Sequence, residues 1–99
     1  DQGRWDAAAA DFAVAAAIRP EIEWAYVNQG LALARAGRLV EAVAQYGQAL
    51  AIEPRNAVAR LNRGLARLDL GSDPAGAASD LAWAVRLGRR EPRVMVAWA

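Results

Sequence analysis

The side chains of this sequence that could do chemistry are amides, arginines and carboxylates, because the usual catalytic groups are missing. The 99 residues include no histidine, cysteine, lysine or threonine. The chain therefore lacks the common general bases, activated nucleophiles and thiolate ligands. Ser72 reads as part of a turn, Ser79 as an ordinary helix residue, and no glycine-rich phosphate loop occurs. We predict no enzymatic activity, no cofactor and no metal site.

Two asparagines, Asn28 and Asn62, stand 34 residues apart, each within an apolar stripe at helical spacing. An amide donates and accepts hydrogen bonds at once, which suits it to recognition. We predict that the two stripes form a partner-binding surface made of Trp24, Val27, Asn28, Leu31, Arg35, Val58, Leu61, Asn62, Leu65 and Asp69. In the alternative interpretation, both asparagines hold neighbouring elements together and the apolar residues pack on adjacent helices.

Arginine carries all the side-chain positive charge, and three arginines follow one another at helical spacing near residue 63. An unpaired buried charge costs several kcal/mol, so an arginine that faces a neighbouring helix needs a carboxylate. We predict a contact between Arg63 and Asp80. Alternatively, a basic surface stripe for an acidic partner is formed by Arg60, Arg63 and Arg67.

The charge is balanced overall but unevenly distributed. Residues 1–54 hold four arginines and seven acids, net −3, whereas residues 55–99 hold eight arginines and four acids, net +4. A total of +1 is too balanced for a general nucleic-acid binder. A short cluster, Arg86, Arg89, Arg90 and Arg93, could contact phosphate or an acidic protein surface. Such a run is more typical of a solvated helix end, and no aromatic residue is interleaved with it to stack on bases. We therefore predict no nucleic-acid partner.

The elements that position these residues recur at a spacing of 34. This shift superimposes Gly3 on Gly37 and Gly71, Phe12 on Tyr46, Pro20 on Pro54, and Gly30 on Gly64. Glycine suits helix C-termini that need a left-handed residue and helix faces that approach closely, and proline stops a helix. Repetition at this period indicates a helical solenoid. The pattern predicts five helices, with Asp73 and Pro74 starting the fifth, and the beginning of a sixth.

The second unit carries a resemblance to a known family. It resembles the tetratricopeptide repeat (TPR) family at Tyr26, Gly30, Leu33, Gly37, Leu39, Ala42, Tyr46, Ala49 and Pro54, and departs from it at Gln29. The resemblance implies an all-α, right-handed solenoid of antiparallel helix pairs. It divides a single TPR-like domain, 1–99, into the second helix of a partial repeat (1–22), a complete repeat (23–56), a repeat with a lengthened turn (57–91) and the start of a further helix (92–99).

In function, the resemblance implies a non-catalytic scaffold that binds a protein or peptide. First helices of the family line a concave surface, where an asparagine at the place of Asn28 and Asn62 can bind the backbone of an extended peptide. Some members clamp a terminal carboxylate with lysine, but Val27 and Leu61 occupy the places of such a cation here. An extended peptide with apolar anchors, or an amphipathic helix, is therefore the expected ligand.

An alternative function is self-assembly. The pattern begins with a second helix and ends with the start of a first helix, which suggests a piece of a longer array with apolar faces at both ends. Head-to-tail stacking of such ends would build a homo-oligomer or filament, helped by the opposite net charges of the two halves. No apolar run reaches eighteen residues and no signal-peptide pattern opens the sequence, so we expect no membrane partner and favour a cytoplasmic location.

Overall fold

The structure, a computed structural model, describes residues 2–90, and within that range the side chains of residues 3–88. Its helices are α1 (Gln2–Ile18), α2 (Glu23–Arg35), α3 (Leu39–Ile52), α4 (Ala57–Leu70) and α5 (Pro74–Arg90). No strand occurs in this part of the chain, and the predicted all-α fold is confirmed. The predicted sixth helix, 92–99, lies outside the described residues, as do Arg93 and the side chains of Arg89 and Arg90.

Each helix packs mainly on its neighbours in the sequence, α1 on α2, α2 on α3, α3 on α4 and α4 on α5. One further contact joins α2 to α4, the first helices of successive pairs. This is the packing of a helical repeat solenoid, in which each pair rests on the pair before it. None of the helices between residues 2 and 90 is long and apolar enough to cross a membrane.

The helix ends follow the turn residues of the sequence. Gly37 and Gly71, which follow α2 and α4, have φ values of +82° and +68°, a left-handed conformation that residues with a Cβ rarely adopt. At the start of α5, the Gly76 backbone N–H donates to Asp73 Oδ1 at 2.9 Å, and Pro74 is the first helical residue. The predicted roles of these residues are confirmed.

A glycine lets α2 and α3 approach closely. A Cβ added at Gly30 would lie 2.5 Å from Cε1 of Tyr46, whose ring therefore rests directly on the α2 backbone. Tyr46 is only 1% exposed. It belongs to a core cluster that joins α1, α2 and α3 and otherwise holds small or aliphatic residues: Ala9, Ala32, Leu33 and Ala42. The small alanine side chains at these positions let the helices approach closely, so the core of this alanine-rich chain is close-packed.

Between α4 and α5, the main contact is an ion-pair network around one buried carboxylate. Asp80 is 1% exposed and accepts from Arg63 Nε and one terminal guanidinium N–H, both at 2.8 Å. Arg67 donates to it at 2.9 Å, and Arg60 lies 3.5 Å away. The predicted contact between Arg63 and Asp80 is confirmed. The alternative of a basic surface stripe is wrong, because all three guanidinium groups converge on Asp80.

The network fixes the charge of Asp80. Burial acts to raise the pKa of this carboxyl, but the hydrogen bonds and charge of Arg63, together with the charges of Arg67 and Arg60, outweigh burial and hold the pKa below its usual value. Asp80 is therefore ionised at neutral pH, and the arginines supply the hydrogen bonds that a buried carboxylate requires.

Candidate functional site

A groove of about 300 Å³ opens between α2, α3 and α4. The residues that line it are Leu31, Ala34, Arg35, Leu39, Tyr46, Asn62, Leu65, Ala66 and Asp69. Five of the ten residues predicted to bind a partner therefore line this groove, namely Leu31, Arg35, Asn62, Leu65 and Asp69.

The repeat explains why these residues come together. Because α2 and α4 are the first helices of successive pairs and contact each other, residues 34 apart lie side by side. Leu65 stands beside the position of Leu31, and Asp69 beside that of Arg35. Within α4, spacings of three and four residues keep the groove side chains on one face. The groove is thus a direct result of the 34-residue period.

The exposed residues of the groove carry opposite charges. Arg35 packs its guanidinium over the Trp5 ring of α1, with Cζ 5.0 Å from the ring centroid, which restricts its position. Asp69 forms no ion pair with any residue between 3 and 88. Leu65, which lines the same groove, is 46% exposed. The groove therefore combines an apolar surface with one cation and one anion.

Asn62 keeps its acceptor free. Its Nδ2 donates to the Val58 carbonyl of the same helix at 2.8 Å. Its Oδ1 accepts no hydrogen bond within the described part of the chain, so it can accept one from a ligand N–H. In the alternative interpretation, Asn62 bonds to the neighbouring repeat. The observed hydrogen bond instead stays within its own helix. Asn28 is half-buried and forms no hydrogen bond with its side chain among residues 3–88.

Tyr46 contributes to the groove although the sequence pattern indicates only a packing role. Burial raises the pKa of its phenol to about 12, and the nearby Arg35 charge opposes that rise. The phenol is therefore neutral, and its hydroxyl finds no hydrogen-bond partner among the described residues. The pattern likewise misses Ala34, Leu39 and Ala66. The only sequence feature that indicates a place for Tyr46 in the groove is its hydroxyl group, which is polar among otherwise apolar packing residues.

Two residues of the predicted surface lie elsewhere. Val27 is 5% exposed and packs in a core cluster with Leu50 and Ala59, so its predicted contact with a ligand is at odds with the structure. Trp24 is 52% exposed but lines a separate apolar cleft of about 290 Å³ between α1 and α2, together with Ile18. Along α2, therefore, Trp24 faces α1, Val27 faces the core and Leu31 faces the groove.

The other predicted residues, Asn28, Val58 and Leu61, are half-buried and do not line the groove. Val58 packs against the core cluster that contains Val27. Self-assembly through the solenoid ends stays a prediction, because one of those ends lies beyond residue 90. Within the described range, no group of three or more acidic residues could hold a metal ion.

Comparison with known proteins agrees with the geometry. No curated protein sequence matches this chain significantly. A family model described as "TPR repeat" matches residues 30–71, which run from the middle of α2 through α3 to the end of α4. This segment contains every lining residue of the groove. TPR repeats generally mediate protein–protein interactions and are generally non-catalytic. Residues 30–71 of the chain are therefore similar to the tetratricopeptide repeat family.

Proposed function

We propose that the chain binds a peptide or an amphipathic helix of a protein partner in the groove between α2 and α4. The observation that carries this proposal is the meeting of repeat-equivalent residues, Leu31 with Leu65 and Arg35 with Asp69, on one open surface. Residues that serve only packing would be buried. Leu65, in contrast, is nearly half exposed.

The size of the groove supports a short segment as ligand. Ligand sites commonly have volumes of about 300–1,000 Å³, and this groove of about 300 Å³ accommodates one or two anchor side chains. Apolar anchors would contact Leu31 and Leu65. Backbone N–H groups of the ligand would donate to Asn62 Oδ1.

The charges constrain the composition of the bound segment. Because Arg35 and Asp69 are repeat equivalents and both line the groove, a ligand that carries an acidic and a basic residue near its apolar anchor is favoured over one whose charges all have one sign. A uniformly acidic tail is not favoured, because it would face Asp69.

A random-peptide library displayed on phage and selected against the chain tests the proposal. We expect enriched peptides to share an apolar anchor with both an acidic and a basic residue near it. Leu65→Ala should weaken the binding of a labelled synthetic peptide from this selection by about tenfold or more, measured by fluorescence anisotropy. Asn62→Ala should weaken it as well.

Val85→Ala is the matched control, because Val85 is equally exposed, at 49%, but lies on α5 outside the groove. Circular dichroism should show the same helicity for all variants. If selection enriches no peptide, or if Leu65→Ala and Val85→Ala have equal effects on binding, the groove is not the binding site.

A further inference from the structure

A second pocket, of about 220 Å³, lies at the other end of α4. Its walls come from the loop between α3 and α4 and from the C-terminal half of α5, and it is lined by Arg55, Trp83, Arg86 and Leu87. We name it the Trp83 pocket. It shares no residue with the groove, and the sequence pattern does not indicate it.

The Trp83 ring organises the arginines of this pocket. Trp83 is 39% exposed, and the guanidinium carbons of Arg60 and Arg86 lie 5.4 and 5.2 Å from its ring centroid. Arg60 is already used by the fold, because it also donates to the Pro54 carbonyl at 3.2 Å and lies near Asp80. Within residues 3–88, Arg86 contacts the ring but pairs with no carboxylate, so the ring holds its charge in place without neutralising it.

Arg55 adds a second charge that is not paired within residues 3–88. Its backbone N–H donates to Glu53 Oε1 at 2.9 Å, which fixes the loop, but its guanidinium pairs with no carboxylate among residues 3–88. The same holds for Arg86. The buried Leu87 and the indole of Trp83 line the same pocket and supply apolar surface. The pocket therefore combines the N–H donors of two guanidinium groups with an apolar surface.

We propose that the Trp83 pocket binds an acidic side chain of a partner polypeptide. The anionic oxygens, from a carboxylate or a phosphate, would accept hydrogen bonds from Arg55 and Arg86, and the stem of the side chain would pack on Trp83. Guanidinium groups bind both kinds of oxyanion strongly because they donate two parallel N–H bonds. The proposal does not depend on the groove.

Size and charge favour a single side chain over a nucleic acid. At about 220 Å³, the pocket is smaller than the usual small-molecule site of about 300–1,000 Å³. Specific nucleic-acid interfaces neutralise several phosphates over a large basic area. Here the pocket holds two arginines that form no ion pair within residues 3–88, in a chain whose net charge is +1.

Three degenerate peptide libraries that differ only in a fixed central residue, serine, glutamate or phosphoserine, test the proposal by fluorescence anisotropy. We expect the glutamate or the phosphoserine library to bind at least about tenfold more tightly than the serine library, and the stronger of the two identifies the oxyanion. Arg55→Gln and Arg86→Gln should each remove most of this preference. Leu65→Ala, in the groove, should leave it unchanged.

Arg19→Gln is the matched control, because Arg19 is exposed and also lacks an ion pair within residues 3–88. If Arg19→Gln reduces binding as much as Arg86→Gln does, the attraction is a diffuse charge effect and the proposal fails. It fails equally if the serine library binds as tightly as the acidic ones, or if a random single-stranded oligonucleotide binds more tightly than any peptide.

Discussion

Position for position, the pair α2–α3 places Gly30, Gln45 and Tyr46 where the pair α4–α5 places Gly64, Asp80 and Leu81. In both pairs, the glycine lets a large side chain of the second helix rest on the backbone of the first. A Cβ at Gly64 would lie 2.9 Å from the Leu81 side chain, much as one at Gly30 would meet Tyr46. The close approach of the two helices is therefore the shared feature.

What surrounds that approach differs between the pairs. In α2–α3 the contact is a buried aromatic ring within an apolar cluster, whereas in α4–α5 three arginines surround one buried carboxylate. The same close approach of two helices can thus be surrounded by either apolar or ion-paired side chains. Ion-paired side chains, however, are stable at a buried position only while every partner is present.

The largest expected effect is the loss of Asp80. Asp80→Ala leaves Arg60, Arg63 and Arg67 partly buried without their shared partner, and breaking such a network typically costs about 3–5 kcal/mol of unfolding free energy. Gln45→Ala, at the equivalent position of α3, should cost under about 1 kcal/mol. Urea unfolding followed by circular dichroism measures both. Equal losses for the two variants would mean that the pairs do not differ in the way described.

A smaller effect is expected where the pairs agree. Gly30→Ala should destabilise the fold by about 1–3 kcal/mol, because the new Cβ would overlap the buried Tyr46 ring. In Gly64→Ala the half-buried Leu81 side chain has more room to move, so the cost should be lower. The melting temperatures of the two variants, measured by thermal unfolding, show which substitution destabilises the fold more.

Gly47→Ala is the control for these glycines. Gly47 is also helical, but the nearest atom to an added Cβ is a guanidinium nitrogen of Arg63 at 3.9 Å. Alanine there should stabilise α3 by up to about 1 kcal/mol through its better helix propensity. If Gly30→Ala stabilises the chain as Gly47→Ala does, close packing does not require the glycine at position 30.

The sequence alone predicts the features that are local or repeat with the period. Gly37 and Gly71 are predicted at helix ends because a left-handed residue is needed there, and Asp73 because it precedes a proline that can only begin a helix. Arg63 and Asp80 are predicted as partners because a buried charge requires its opposite. Each of these inferences depends only on the local sequence or, for Arg63 and Asp80, on one neighbouring helix.

The candidate site is predicted only in part, because helical spacing does not give the angle between helices. Leu31 and Leu65 are correctly placed together as repeat equivalents. Val27, one turn before Leu31, turns out to be buried, and Trp24 faces α1 instead of α4. The Trp83 pocket joins a loop to a helix from a different part of the repeat, a proximity that no periodicity reveals.

A further effect separates the two pairs at alkaline pH. The pKa of Tyr46 in the folded chain is about 12, above the value of about 10 for an unfolded chain. The raised pKa stabilises the fold fully below pH of about 10, and this contribution is lost as the pH rises towards 12; at pH of about 11, the loss is about 1.4 kcal/mol. Urea unfolding at several pH values should show this decline in the wild type and not in Tyr46→Phe. Leucine at position 81, the equivalent of Tyr46 in α5, cannot ionise. A decline of equal size in both proteins would mean that the alkali-sensitive group is not Tyr46.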